Sequence, residues 1–197
     1  TVGQELYFSN IPFMDSISFS FLLFASYCLA LLLLLPVQSS SRADTTPRLP
    51  DLKFDLPLRT SWQVFALTIL LFAFIDMVID PVALRGDRWF LGKIYYYPDP
   101  GVHFGVPMAN YVGCAVVGLL IYFPLDRRLQ HPLPDHRPST THRLLLGGGL
   151  YYGVLAFNLA MTFWIGETLQ GTTGLLMYVP VTAILLLRLL APATQSA

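Results

Sequence analysis

Five long apolar stretches, residues 17–37, 61–79, 105–124, 144–165 and 173–191, alternate with polar connections along the chain. Each is near the roughly 20 residues that an α-helix needs to cross a bilayer. The pattern predicts an all-α, polytopic integral membrane bundle of about five transmembrane helices. The polar, proline-rich stretches at 39–59 and 131–141 read as connections between helices, and no repeat of 20 to 50 residues interrupts them. Residues 1–197 are therefore expected to form a single membrane domain.

Composition agrees with the pattern, because 54% of the 197 residues are hydrophobic and only 12% are charged. A soluble domain has about twice that charged fraction. Lysine and arginine set the expected orientation. Placing the N-terminus outside leaves nine of the 12 basic residues inside and three, Arg85, Arg88 and Lys93, in an outer loop, so the count predicts N-out and C-in. The formal net charge is zero and basic residues stand beside acidic ones, which excludes a nucleic-acid face. Cys28 and Cys114 both fall in apolar helices and are expected to be packing residues. The chain begins at Thr1, and TVGQELYFSN lacks the basic and apolar regions of a signal peptide, so we expect a processed or missing start.

Two strips of small residues, Gly105, Ala109 and Gly113 in one helix and Gly149, Gly153, Ala156 and Ala160 in the next, offer close backbone approach. The simpler expectation is packing within the bundle; the alternative is a partner subunit or a flat pigment.

The polar residues within this apolar frame are the candidate chemistry. Asp76 and Asp80 end the second apolar run one turn apart, on a shared helix face, and carboxyls at the edge of hydrocarbon are costly. Two such groups can hold one proton between them and present a neutral acid. In the alternative, Asp80 caps backbone before Pro81 and Asp76 pairs with Arg85 or Arg88. An aromatic, turn-rich segment follows: Trp89, Phe90, Tyr95, Tyr96, Tyr97, the PDPG turn at 98–101, then His103, Phe104 and Asn110. Tyrosines here suit an interfacial belt. With Asp99, His103 and Asn110 beside them, they also suit a loop folded over a polar-lipped, aromatic-walled pocket.

The run from Ile79 to Asn110, with IDPVA, RWFLGKIYYY and FGVPMANYVG, resembles the membrane carotenoid-biosynthesis protein family, which includes carotenoid 1,2-hydratases and bisanhydrobacterioruberin hydratase. The resemblance is carried by Asp80 and Pro81 after a membrane helix, by Trp89, and by Gly105, Pro107 and Asn110 opening the next helix. It covers about one sixth of the chain. Family hydratases have more spans and an earlier G-x-P-x-G-x-Y-x-Y motif, of which Gly3, Tyr7 and Phe8 resemble a remnant, so the resemblance implies a truncated or divergent member.

That resemblance implies a lyase that hydrates the terminal double bond of an acyclic or monocyclic carotenoid. Protonation at the less substituted carbon leaves a tertiary cation, to which water adds. Asp76 or Asp80 would be the acid, Trp89, Tyr95, Tyr96, Tyr97 and Phe104 the aromatic wall facing substrate, and His103 or Asn110 the partners of the water. No cofactor and no metal are required. The expected partners are a carotenoid or other isoprenoid lipid and membrane lipid, in a cell inner membrane or a photosynthetic membrane.

Other chemistries find little support in the residues. Di-iron oxygenases need clustered histidines, whereas His131, His136 and His142 match no ligand spacing. Gly147, Gly148 and Gly149 follow no strand, so they form no dinucleotide loop. The alternative function is a non-catalytic transmembrane subunit that holds a carotenoid or other pigment within a larger, photosynthetic complex. In that case His103 could ligate a pigment metal.

Overall fold

The computed structural model describes residues 7–8, 11–35, 37–38, 51–52, 56–88, 92, 96–129 and 140–190. Within them the chain is a helical membrane bundle. Five long helices, α1 (Phe13–Leu34), α3 (Trp62–Ala83), α4 (Met108–Leu129), α5 (Thr140–Trp164) and α6 (Thr168–Leu190), are joined by a short α2 (Leu56–Arg59) and a 3-10 turn at Gly86–Arg88. Two antiparallel pairs of two-residue strands, Tyr7–Phe8 with Ile11–Pro12 and Val37–Gln38 with Asp51–Leu52, form no sheet layer.

The helices alternate in direction, as contacts at the two ends of the bundle show. At one end Arg59 Nε donates to the Tyr27 hydroxyl at 3.0 Å, the Phe65 and Tyr122 rings meet at 4.9 Å, and Arg188 of α6 donates to the carbonyls of Leu33 and Leu35. The other end, here the mouth, joins the C-termini of α3 and α5 to the N-termini of α4 and α6. There Arg88 meets Glu167 at 2.8 Å and Asn110 meets Asp80. Helix α1 is enclosed: Leu23, Ala25, Leu29 and Ala30 have no exposed surface, and it packs against α3 and α5.

Lipid tails are as apolar as leucine, so close packing and hydrogen bonds hold these helices together. Gly147 and Gly148 let α5 close on α1, because a Cβ on either would run into Cys28 or Leu32. Gly118 does the same for α4 against Phe72 and Ile69 of α3. Polar side chains add directional ties. Tyr151 is fully buried and donates to the Leu71 carbonyl at 2.8 Å, while the Tyr178 hydroxyl, 2.7 Å away, donates to Tyr151 in turn.

All five expected helices are present, with shifted ends. Helix α3 runs past residue 79 through Asp80 and Pro81, because only one backbone bond is lost at the proline. Helix α4 begins later than residue 105, since Phe104 (φ 51°) and Gly105 (φ 96°) turn left-handed just before it. Helix α6 begins earlier than residue 173, directly after the left-handed Gly166. Among the described residues four helices, α1, α3, α5 and α6, are long and apolar enough to cross a bilayer. The apolar part of α4, Met108–Tyr122, is shorter.

The small-residue strips correct one expectation. Ala109, Gly113, Gly149, Gly153, Ala156 and Ala160 do not line helix interfaces: Ala109, Gly113 and Gly149 are exposed, as are Gly153, Ala156 and Ala160. A Cβ added to Gly113, Gly149 or Gly153 meets nothing within 4 Å. The close approaches are made instead by Gly118, Gly147 and Gly148.

Gly147→Ala should therefore overpack the α1–α5 contact and lower stability by about 1–3 kcal/mol. Gly153→Ala should be neutral or slightly stabilising. Thermal unfolding of the two variants in detergent checks the contrast; equal losses would contradict this packing.

Candidate functional site

The mouth is organised by a proline. Pro81 has no N–H, so the carbonyl of Met77, one turn earlier, lacks its helical donor. His103 fills that place, its Nε2 donating to the Met77 carbonyl at 3.0 Å. The ring thereby anchors the segment 101–107 on α3. That segment is a tight turn in which Gly101 N–H donates to Gly105 at 3.0 Å and Val106 N–H donates to His103 at 2.9 Å. Gly101 is required there, because a Cβ would collide with the Val106 carbonyl. The His103 ring meets Phe104 edge-on at 5.1 Å and Tyr111 at 5.7 Å.

The two aspartates stand on α3 on either side of Met77. One donor atom from each of Asp76, Asp80 and Cys114 falls within 4.8 Å of the others. Cys114, expected to be a packing residue, is thus part of the polar cluster. Asn110 lies one turn before it on α4, and its Nδ2 donates to Asp80 Oδ2, with Cys114 Sγ at 4.0 Å. The other end of that amide, Oδ1, accepts from the Tyr97 hydroxyl at 2.7 Å. Burial first, and then the Asp80 charge, push the Tyr97 phenol up to about 12. Tyr97 therefore stays a donor throughout the neutral range.

Asp76 is 5% exposed, and its Oδ2 has no hydrogen-bond partner. The sequence left open an ion pair between Asp76 and Arg85 or Arg88. Both guanidiniums are held elsewhere. Arg85 Nε lies 3.4 Å from Glu167 and its Nη2 donates to Gln170 at 3.0 Å, while Arg88 meets Glu167 at 2.8 Å and the Ile165 carbonyl. Neither of these two arginines therefore pairs with Asp76, and two carboxyls one helical turn apart disfavour ionising together.

Of the residues singled out by sequence, the structure brings together Asp76, Asp80, Asn110 and Tyr97, with His103 and Phe104 in the turn anchored on Met77. Tyr96 is 67% exposed. Trp89 and Tyr95 lie outside the described residues. Sequence reasoning missed Cys114 and also Tyr111, whose hydroxyl is buried without a hydrogen-bond partner. A signal for Cys114 was available. Asp76 and Asp80 on α3 face Asn110 and Cys114 on α4, two pairs with the same four-residue spacing on neighbouring helices.

Chemically, the cluster gathers two carboxyls and a thiol within an apolar helix pair, next to an aromatic turn. Two carboxylates and a sulfur are also donors that zinc accepts.

A family model described as carotenoid biosynthesis protein matches residues 3–181. No curated protein and no solved structure matches the chain.

Pro81→Ala restores an N–H to the Met77 carbonyl and should displace His103. We expect a stably folded protein whose 101–107 turn loosens, read as faster amide exchange at Val106. Unchanged protection there would show that the proline does not set the turn.

Proposed function

This chain belongs to the carotenoid biosynthesis protein family, and we propose that it adds water to the terminal double bond of an acyclic or monocyclic carotenoid by acid catalysis. Membership implies a carotenoid or other isoprenoid lipid as substrate. The observation that carries the proposal is the carboxyl pair of Asp76 and Asp80, gathered with Cys114 at the mouth of a membrane bundle and not ion-paired to Arg85 or Arg88. An alkene is a weak base, so hydration needs an acid that keeps its proton at neutral pH, and two carboxyls this close meet that need.

The surroundings suit the remaining steps. A tertiary cation gains from π-faces, and Tyr97, Phe104 and Tyr111 lie about the turn. The Tyr111 hydroxyl is free to hold a water beside them. No electron transfer occurs, so the reaction calls for no redox cofactor.

One observation favours a second reading. The strips around Gly113 and Gly149–Gly153 face outward, where a flat pigment or another helix could lie. On that reading the protein holds a carotenoid without altering it.

Expression in a lycopene-accumulating bacterium separates the two. Hydration predicts pigment heavier by one water; the holding subunit predicts unchanged lycopene that co-purifies with the chain. Asp76→Asn and Asp80→Asn should each lower product at least about a hundredfold, the scale of a lost general acid. Normal product from both variants would refute the mechanism. Chelation should leave turnover intact, whereas loss on chelation and recovery with zinc would move the acid's role to a bound metal.

A further inference from the structure

The geometry points to a division of labour within the pair: Asp76 carries the proton and delivers it, while Asp80 is a carboxylate held by Asn110 and Tyr97, which act as positioning residues. This rests on the hydratase reading and deepens it, since that reading requires one acid without saying which.

The argument follows hydrogen-bond direction along one chain of groups. An amide oxygen can only accept, so Tyr97 is the donor in its 2.7 Å contact with Asn110 Oδ1. That fixes the amide, and its Nδ2, which can only donate, is turned to Asp80 Oδ2 and Cys114 Sγ. The Asp80 oxygen therefore presents a lone pair. Asp76 is placed differently. Its Oδ2 is buried without a hydrogen-bond partner, Cys114 lends the carboxyl no more than a weak thiol donor, and an ionised oxygen left so is far more costly than a hydroxyl. One proton shared by the two groups accordingly resides on Asp76. The His103 Nε2–H, in the neighbouring turn, is directed to the Met77 carbonyl and not to either carboxyl.

The step then balances. The alkene π pair forms a C–H bond at the less substituted carbon with the Asp76 proton, and Asp76 is left as carboxylate. Fixed negative charge on Asp80 faces the tertiary cation from the start. A water oxygen bonds to that cation, and the proton it sheds returns to the pair and restores Asp76. The net change is the addition of one water, with nothing oxidised or reduced.

Infrared spectroscopy of the purified full chain at neutral pH reads the assignment without substrate. Wild type should show the carbonyl stretch of a protonated carboxylic acid, lost in Asp76→Asn and kept in Asp80→Asn. The opposite pattern would mean that the Asn110 amide is turned round and the proton sits on Asp80, overturning the assignment, as would the absence of the band in wild type. If an asparagine variant fails to fold, the glutamate variants serve instead: the band should move in Asp76→Glu and stay in Asp80→Glu. Tyr97→Phe should shift the band and lower turnover about tenfold, the worth of one hydrogen bond; an unmoved band would refute its positioning role. A band of the expected pattern in a protein that converts no carotenoid would refute the hydratase reading and leave the assignment standing.

Discussion

Keeping two carboxyl groups side by side inside a membrane helix is the constraint around which the rest of this molecule is arranged. Hydrocarbon offers no water to solvate them, and one turn of helix holds them too close to ionise together without large cost. The two arginines that follow the pair on the chain do not serve as its counter-cations. Arg85 and Arg88 lie within a few residues, yet Glu167 and Gln170 hold both at the bundle rim. What the pair receives instead is an amide from Asn110 and a thiol from Cys114, groups that organise charge without cancelling it. A guanidinium in that place would make a quieter protein and a poorer acid.

The same constraint explains why the mouth is built from turns. Pro81 removes one helical hydrogen bond immediately after Asp80, and the freed Met77 carbonyl becomes the anchor for His103. The turn so anchored sets the His103 ring against Phe104 and Tyr111 and leads the chain directly into α4, where Asn110 and Cys114 lie on successive turns. A backbone defect in α3 is thus converted into the fastening of the 101–107 turn. At the opposite end of the bundle Arg59 donates to a tyrosine and Arg188 to the carbonyls of Leu33 and Leu35, where α1 ends.

Much of the architecture was legible from hydrophobic runs, because a membrane helix must satisfy its own backbone and so announces itself by length. The ends were less legible. Nothing in a hydropathy pattern says that α3 continues through Pro81, since that depends on a histidine 22 positions further on in the chain. The aspartates, Asn110 and Tyr97 could be chosen because polar groups in apolar surroundings are conspicuous. Cys114 was passed over, because a cysteine in a membrane helix reads as a small apolar residue unless its four-residue spacing from Asn110 is set beside that of the two aspartates. The glycines were misread for a related reason: spacing identifies a smooth helix face but not whether that face turns toward a helix or toward lipid. Gly147 and Gly148 press on α1, whereas Gly149 and Gly153, on the same helix, face outward.

The central claim is that a proton from the pair and an oxygen from water end up on one carotenoid. Incubating the purified protein with lycopene in water labelled with heavy oxygen tests it most directly. The account predicts a tertiary alcohol that carries one labelled oxygen and forms equally well without air. An alcohol whose oxygen is unlabelled, or one that forms only when dioxygen is present, would contradict it.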